Sequence, residues 1–312
     1  MSATTEKWLA RVAKNEFVSS LEAIQPAEEL FFPETRPKKF HKYLGNTQDH
    51  PAKMNLQLIE FLIGKYTRNG DIVLDPLAGT GSVGVIAAAL GRNSVQIEIV
   101  PKFYRGIEQA RTNVESDPAL RKKGWIKNFC GDARKAGKYV GQEKINVVLT
   151  SPPYENQNHY SNSRSRLRQL ARSKTTGVGK QAARGKYTFY YSRSKSNIGN
   201  LKKEKYSQAM YTVHTQCFNV LIEGGLAIVV VRPLYRHKNV FDLPYHTWLL
   251  LKEAGFEFAN IYKLKLSKLS LWTNMYEKKY PYVPKIRHDY VIVVRKPSEI
   301  HILMHARIER AG

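Results

Sequence analysis

The chain is poor in cysteine and in acid. Its 312 residues hold two cysteines, Cys130 and Cys217, both in apolar surroundings. Two cysteines cannot build a disulfide framework or a cysteine-rich metal site, so buried thiols in a reducing compartment and no metal are expected. No run of about 18 apolar residues occurs, and the N-terminus lacks a signal-peptide core. A cytoplasmic protein with no membrane partner is therefore expected, and no internal repeat is visible. Only 26 Asp and Glu face 50 Lys and Arg, a formal charge of +24. An excess of that size repels itself unless a polyanion neutralises it, which points to a nucleic-acid partner. What the chain does have is enough apolar content, 42%, for a real core. Its length suits one large domain or a domain with an accessory lobe.

Apolar periodicity organises the rest. Residues 1–40 read as a mixed N-terminal leader with short helices near 6–15 and 17–24. Residues 53–66 carry Met54, Leu56, Leu58, Ile59, Phe61, Leu62 and Ile63 at helical spacing. Strands then alternate with helices: strands at 72–74, 94–99, 125–130 and 145–150, then 226–231, 256–264 and 289–295. Helices are expected from Val83 to Leu90, with Gly91 as a stop, and over 102–114, 205–223 and 244–254. This alternation predicts an α/β, doubly wound sheet with a helical layer on each face, as one domain over 41–297 with a tail at 298–312. Two segments break the pattern. Residues 155–203 hold twelve Lys or Arg, one acid (Glu155), and Tyr160, Tyr187, Phe189, Tyr190 and Tyr191. They read as a basic, flexible substrate loop beside the site, mobile when unliganded. Residues 265–288 read as a second basic, aromatic loop, with Trp272, Tyr276, Tyr280 and Tyr282.

Two motifs carry chemistry. The strand at 145–150 ends in Ser151-Pro152-Pro153-Tyr154. Two prolines stiffen the turn and withhold backbone N–H groups, making a rigid shelf at the carboxyl edge of a sheet, where α/β proteins place ligands. A serine hydroxyl, proline carbonyls and a tyrosine face suit a flat ring bearing an exocyclic amine. Upstream, the strand at 72–74 runs through Asp75-Pro76 into Gly79-Thr80-Gly81, with Gly84 following. Glycines there let backbone approach a ligand closely. Gly79-x-Gly81-x-x-Gly84, with Glu98 further on, also fits the dinucleotide fingerprint, but the Ser-Pro-Pro-Tyr turn has no role in a dehydrogenase.

Together these motifs resemble the DNA cytosine-N4/adenine-N6 amino-methyltransferases. Asp75-Pro76-x-x-Gly79-x-Gly81 is similar to their motif I, and Ser151 to Tyr154 to the motif IV typical of cytosine-N4 enzymes. His50-Pro51-Ala52-Lys53 resembles motif X, which packs beside the methionine end of the cofactor. The resemblance spans most of 39–296. It implies a class I methyltransferase, Rossmann-like fold: a seven-stranded mixed sheet whose last strand inserts antiparallel. The implied cofactor is S-adenosyl-L-methionine. His50, Asp75, Pro76, Ala78, Gly79 and Gly81 would hold its methionine part, Glu98 its ribose hydroxyls and Asp132 its adenine amine. Asp132 could equally be a helix N-cap.

The implied reaction is methyl transfer to N4 of cytosine. Ser151 and the Pro152 carbonyl would accept the amine hydrogens, Pro153 would stiffen the turn and Tyr154 would stack on an extruded base. No Pro-Cys pair is present for attack at cytosine C5. Candidate substrate contacts are His159 (or else a plain exposed loop histidine), Tyr160, Arg164, Arg166, Arg168 and Arg172, with Arg232 as a phosphate contact or strand cap. The motif order X, I, IV departs from many Ser-Pro-Pro-Tyr enzymes, and no separate recognition domain is visible. DNA is the leading substrate; cytidine in structured RNA such as ribosomal RNA is the rival. An idle nucleic-acid-binding protein is a third reading, opposed by the intact motifs. A guanine-N2 transfer-RNA methyltransferase shares the motif order but usually has Asp or Asn at the Ser151 position. Oligomeric state is not legible.

Overall fold

The computed structural model describes residues 3–13, 20–33, 38–45, 50, 53–155, 194, 196–269 and 271–298. Its elements, in chain order, are α1 (Ala3–Ala13), α2 (Leu21–Ile24), β1 (Glu28–Leu30), α3 (Lys38–His41), α4 (Leu56–Tyr66), β2 (Ile72–Asp75), α5 (Ser82–Ala89), β3 (Asn93–Glu98), α6 (Pro101–Glu115), β4 (Ile126–Cys130), α7 (Ala136–Val140) and β5 (Ile145–Thr150). There follow α8 (Lys203–Val220), β6 (Leu221–Val231), β7 (Leu234–Arg236), β8 (Asn239–Phe241), α9 (Leu243–Glu253), β9 (Glu257–Lys265), α10 (Leu271–Lys279) and β10 (His288–Arg295).

The main sheet runs β1-β9-β10-β6-β5-β2-β3-β4. Every pairing is parallel except those of β10, which lies antiparallel between β6 and β9. The doubly wound mixed sheet and its inserted last strand are as expected. It has eight strands rather than seven, because Glu28–Leu30 adds beside β9. Side chains alternate between the two faces, so Val73 and Val147 join the core layer of α4 and α5, while Leu74 and Val148 join that of α1 and α8.

The layers follow from local sequence. Asn55 caps α4 by accepting the N–H groups of Gln57 and Leu58, and Leu58, Ile59, Leu62 and Ile63 face the sheet. In α5 all of Ser82 to Ala88 is buried, as expected of a helix with no charged residue on any face. From the segment read as a leader, Leu9 and Val12 of α1 are buried against α8. Three expectations are corrected. Helix α10 occupies part of the segment expected as an aromatic loop. The first two helices lie at 3–13 and 21–24. Cys130 is exposed, because it ends the edge strand β4, while Cys217 is buried. The expected substrate loop lies outside the described residues over 156–193 and at 195; its end forms a 3-10 turn, Ile198–Asn200. Among the described residues, no helix is long and apolar enough to cross a membrane.

Candidate active site

The chain leaves β2 toward β3 on one side and returns to β5 on the other. The crevice outside their carboxyl ends is the switch point where doubly wound sheets bind ligands. A cavity of about 490 Å³ lies there. His50, Asp75, Pro76, Ala78, Gly79, Glu98, Asp132, Ser151, Pro152, Pro153, Tyr154 and Arg232 all line it. Two motifs separated by seventy residues of sequence are thereby joined in one wall. Gly81 sits just behind, as the left-handed N-cap of α5 (φ 73°). His159, Tyr160, Arg164, Arg166, Arg168 and Arg172 lie outside the described residues.

Asp75 ends β2 and is buried. Its Oδ1 accepts the Thr150 hydroxyl at 2.8 Å and the Leu77 N–H at 3.1 Å. Burial pushes its carboxyl up to about 7, against the lowering effect of those two donors. Glu98 ends β3 and is 7% exposed. Its two oxygens accept the N–H groups of Gly79 at 2.8 Å and Val100 at 2.7 Å. Burial also pushes Glu98 up to about 7, again opposed by the backbone donors. Each carboxylate oxygen has a second lone pair, so Glu98 can still accept from hydroxyl donors in the cavity. The glycine turn passes close under His50: a Cβ on Gly79 (φ 53°) would stand 2.9 Å from His50 Nε2. His50 itself packs edge-on against Phe103, 4.6 Å between ring centres.

Asp132 follows β4. It lines the cavity, and it caps the 3-10 turn at 133–135 by accepting the Arg134 N–H at 3.0 Å. Its carboxylate also pairs with the Arg134 guanidinium at 2.6 Å. Burial alone would raise Asp132, but the Arg134 bonds prevail and lower it. Arg232, just past the end of β6, forms a two-pronged pair with Asp289 of β10, with one arm at 3.0 Å. Its charge is thus compensated within the fold.

The Ser-Pro-Pro-Tyr shelf has supports that no sequence pattern announced. Tyr206 of α8 donates its hydroxyl to the Pro153 carbonyl at 2.9 Å. Glu155 accepts the Lys203 N–H at 2.7 Å and pairs with Arg236 at 2.6 Å. Asn197 and Ile198, both buried, close the cavity from the last residues of the basic segment. Thr150 was readable as the strand residue before Ser151, but its bond to Asp75 was not. Among the described residues nothing hydrogen-bonds the Ser151 hydroxyl. Burial raises the Tyr154 hydroxyl well above its usual range, so it stays protonated at neutral pH.

Strand order, the antiparallel last strand, the glycine turn after β2 and the acid ending β3 define a class I methyltransferase fold. Residues 4–109 match the family described as DNA methylase, N6 and N4. The chain is 36% identical over 80 residues to the type II methyltransferase M2.DpnII of Streptococcus pneumoniae, covering 26% of this chain and 28% of that protein. It is 29% identical over 101 residues to the DNA adenine methyltransferase YhdJ of Escherichia coli, 32% of each. It is 27% identical over 142 residues to the tRNA (guanine(10)-N2)-dimethyltransferase of Methanocaldococcus jannaschii, 44% of this chain and 37% of that one. Thus the chain spans about a third of the length of these relatives. The matches support the N6/N4 DNA methyltransferase family, whose cofactor is S-adenosylmethionine, and they do not separate cytosine N4 from adenine N6.

Proposed function

We propose that the protein methylates the exocyclic N4 of cytosine in DNA, using S-adenosylmethionine. The observation that carries this reading is the convergence of Ser151–Tyr154 and the Asp75–Gly81 turn on one cavity with Glu98. The residues fit the cofactor: a carboxylate with spare lone pairs on each oxygen, and a glycine turn that brings no side chain of its own into the cavity at Gly79. Glu98 would hold the ribose hydroxyls, and Asp75 with the glycine turn the methionine end. Asp132 is available to the adenine amine only alongside Arg134. Bound there, the cofactor supplies an electrophilic methyl group on a sulfonium.

The chain's own task is alignment. Cytosine N4 is a weak nucleophile because its lone pair is delocalised into the ring. Acceptors at Ser151 Oγ and the Pro152 carbonyl would bind its two hydrogens and turn the lone pair out of conjugation. The Pro153 carbonyl is already occupied by Tyr206, which fixes the shelf for that purpose. Tyr154 offers the base a ring face, and extrusion from a duplex costs a few kcal/mol.

The same geometry supports a second substrate, cytidine in structured RNA. The long match to a transfer-RNA enzyme favours keeping it. A tritiated methyl donor, supplied with DNA or with ribosomal RNA and followed by nucleoside separation, tests both. N4-methylcytosine is expected. Label confined to adenine N6 or guanine N2 refutes the assignment of Ser151.

A further inference from the structure

The β7–β8 hairpin, α10 and the turn 280–287 stand together at the sheet edge that carries Ser151–Tyr154. β6 and β9 both run toward that edge, and β10 starts from it. Four tyrosines form a ladder across this lobe. Tyr235 stacks on Tyr276 at 4.4 Å and 7°, Tyr276 lies 4.8 Å from Tyr280, and Tyr280 lies 6.2 Å from Tyr282.

The inner end of the ladder is locked. The Tyr235 hydroxyl donates to Glu277 at 2.9 Å and accepts the Ile286 N–H at 3.0 Å. The Tyr276 hydroxyl accepts the Lys238 N–H at 2.9 Å, and Arg287 grips Glu277 with both arms. Val283 and Ile286 are buried beneath. The outer end is open. Tyr282 is 69% exposed, the most exposed large apolar side chain among the described residues. The ammonium groups of Lys238 and Lys279 lie 5.9 and 5.3 Å from the Tyr280 ring centre, and Lys278 and Lys285 are exposed beside them. None of these four lysines makes an ion pair among the described residues. The arginines of the lobe are all turned to carboxylates: Arg232 to Asp289, Arg236 to Glu155 and Arg287 to Glu277.

The lobe is therefore neutralised and rigid inside, cationic and aromatic outside. Exposed ring faces flanked by ammonium groups match an unstacked base flanked by phosphates. A base held in a duplex has no free face to offer. We propose that Tyr280 and Tyr282, with Lys238, Lys278, Lys279 and Lys285, bind an unpaired stretch of nucleic acid by stacking and phosphate contact. The proposal rests on the nucleic-acid substrate argued above and assigns that substrate's strand state near the site. The Arg236–Glu155 pair ties the lobe to the residue after Tyr154, so a strand held here leads onto the shelf.

The test uses the full chain and a fluorescein-labelled oligothymidylate of roughly 16 nucleotides, about one extended site. Having no cytosine, it reports this surface apart from methyl transfer. Anisotropy should show binding that weakens with salt. Tyr282→Ala and Tyr280→Ala should each weaken it about tenfold, while Tyr282→Phe keeps it. Replacing the four lysines with Gln should reduce the logarithmic salt slope by up to about 3. Cofactor affinity by calorimetry should not change in any of these variants. Unchanged oligothymidylate binding in Tyr282→Ala overturns the proposal, as does equal competition by a blunt duplex. A change in sedimentation without a change in binding makes the surface a protein contact and overturns it too. If no nucleic acid is methylated while oligothymidylate binding still depends on Tyr282, the surface stands and the proposed reaction fails.

Discussion

Tyr206 donates its hydroxyl to the Pro153 carbonyl across 53 residues of sequence, in the first turn of α8. A proline-rich turn has few N–H groups with which to brace itself, so the brace comes from another element. Burial raises the Tyr206 hydroxyl far above its usual range, which keeps it a donor at every working pH. Tyr206→Phe should cost about 1 kcal/mol of stability, the net value of one hydrogen bond. It should lower kcat on the order of tenfold, short of the hundredfold that a 1 Å misplacement can cost. Cofactor affinity should stay the same. Steady-state kinetics beside calorimetry checks this, and an unchanged kcat removes Tyr206 from the positioning role.

Asp75 and Glu98 give the protein a pH signature. Both carboxyls are pushed up to about 7 from ordinary values of 3.8 and 4.5. Between those limits the folded state binds more protons than the unfolded state, so their contribution to stability falls as pH rises from about 4 to about 7. Below and above that window their slope vanishes. The melting temperature of Glu98→Gln should therefore gain on the wild type as pH rises from 5 to 8. Cofactor affinity of the wild type should move the other way, rising with pH, because hydroxyl donors prefer the ionised carboxylate. Parallel melting curves at all pH values would contradict the first statement, and a calorimetric affinity that does not rise with pH the second.

Gly79 takes a left-handed conformation with His50 close above it. Gly79→Ala should cost about 1–2 kcal/mol of backbone strain and press its methyl against the imidazole. The outcome expected is at least tenfold weaker cofactor binding. Gly70, also at positive φ (85°) but with nothing near its Cβ position, supplies the control. Gly70→Ala should carry the strain without the loss of affinity. Equal affinity losses in the two variants would mean that the Gly79 effect is stability alone.

The segment from Arg164 to Arg172 is a proposed phosphate contact on sequence grounds. Changing Arg164, Arg166, Arg168 and Arg172 to Ala should flatten the salt dependence of nucleic-acid binding. Cofactor affinity should be untouched. An unaltered slope in filter binding takes these arginines off the surface that meets the substrate.

Strands of the central sheet were legible because parallel strands buried on both faces read as apolar runs, as in Ile145 to Leu149. Motif positions were legible because Gly79 and Pro152 mark backbone demands that few other residues meet. The rest rests on partners distant in sequence. Glu28–Leu30 has two acids in three residues and joins the sheet only because an outer edge tolerates them. Helix α10 hides in a tyrosine-rich stretch whose rings pack on β7 rather than on the main core. Cys130 looked buried by its neighbours but ends an edge strand. Arg232 read as a phosphate contact or strand cap, and its partner Asp289 comes from β10, 57 residues further along the chain.

Helix α1 places Leu9 and Val12 against α8, the helix that carries Tyr206. Each such side chain contributes about 2 kcal/mol of burial. Trimming the chain to its obvious catalytic half would thus strip the outer support from the helix that steadies the proline turn. Helix α1 serves as a buttress for the proline turn, and a protein without it is expected to lose kcat more than cofactor affinity.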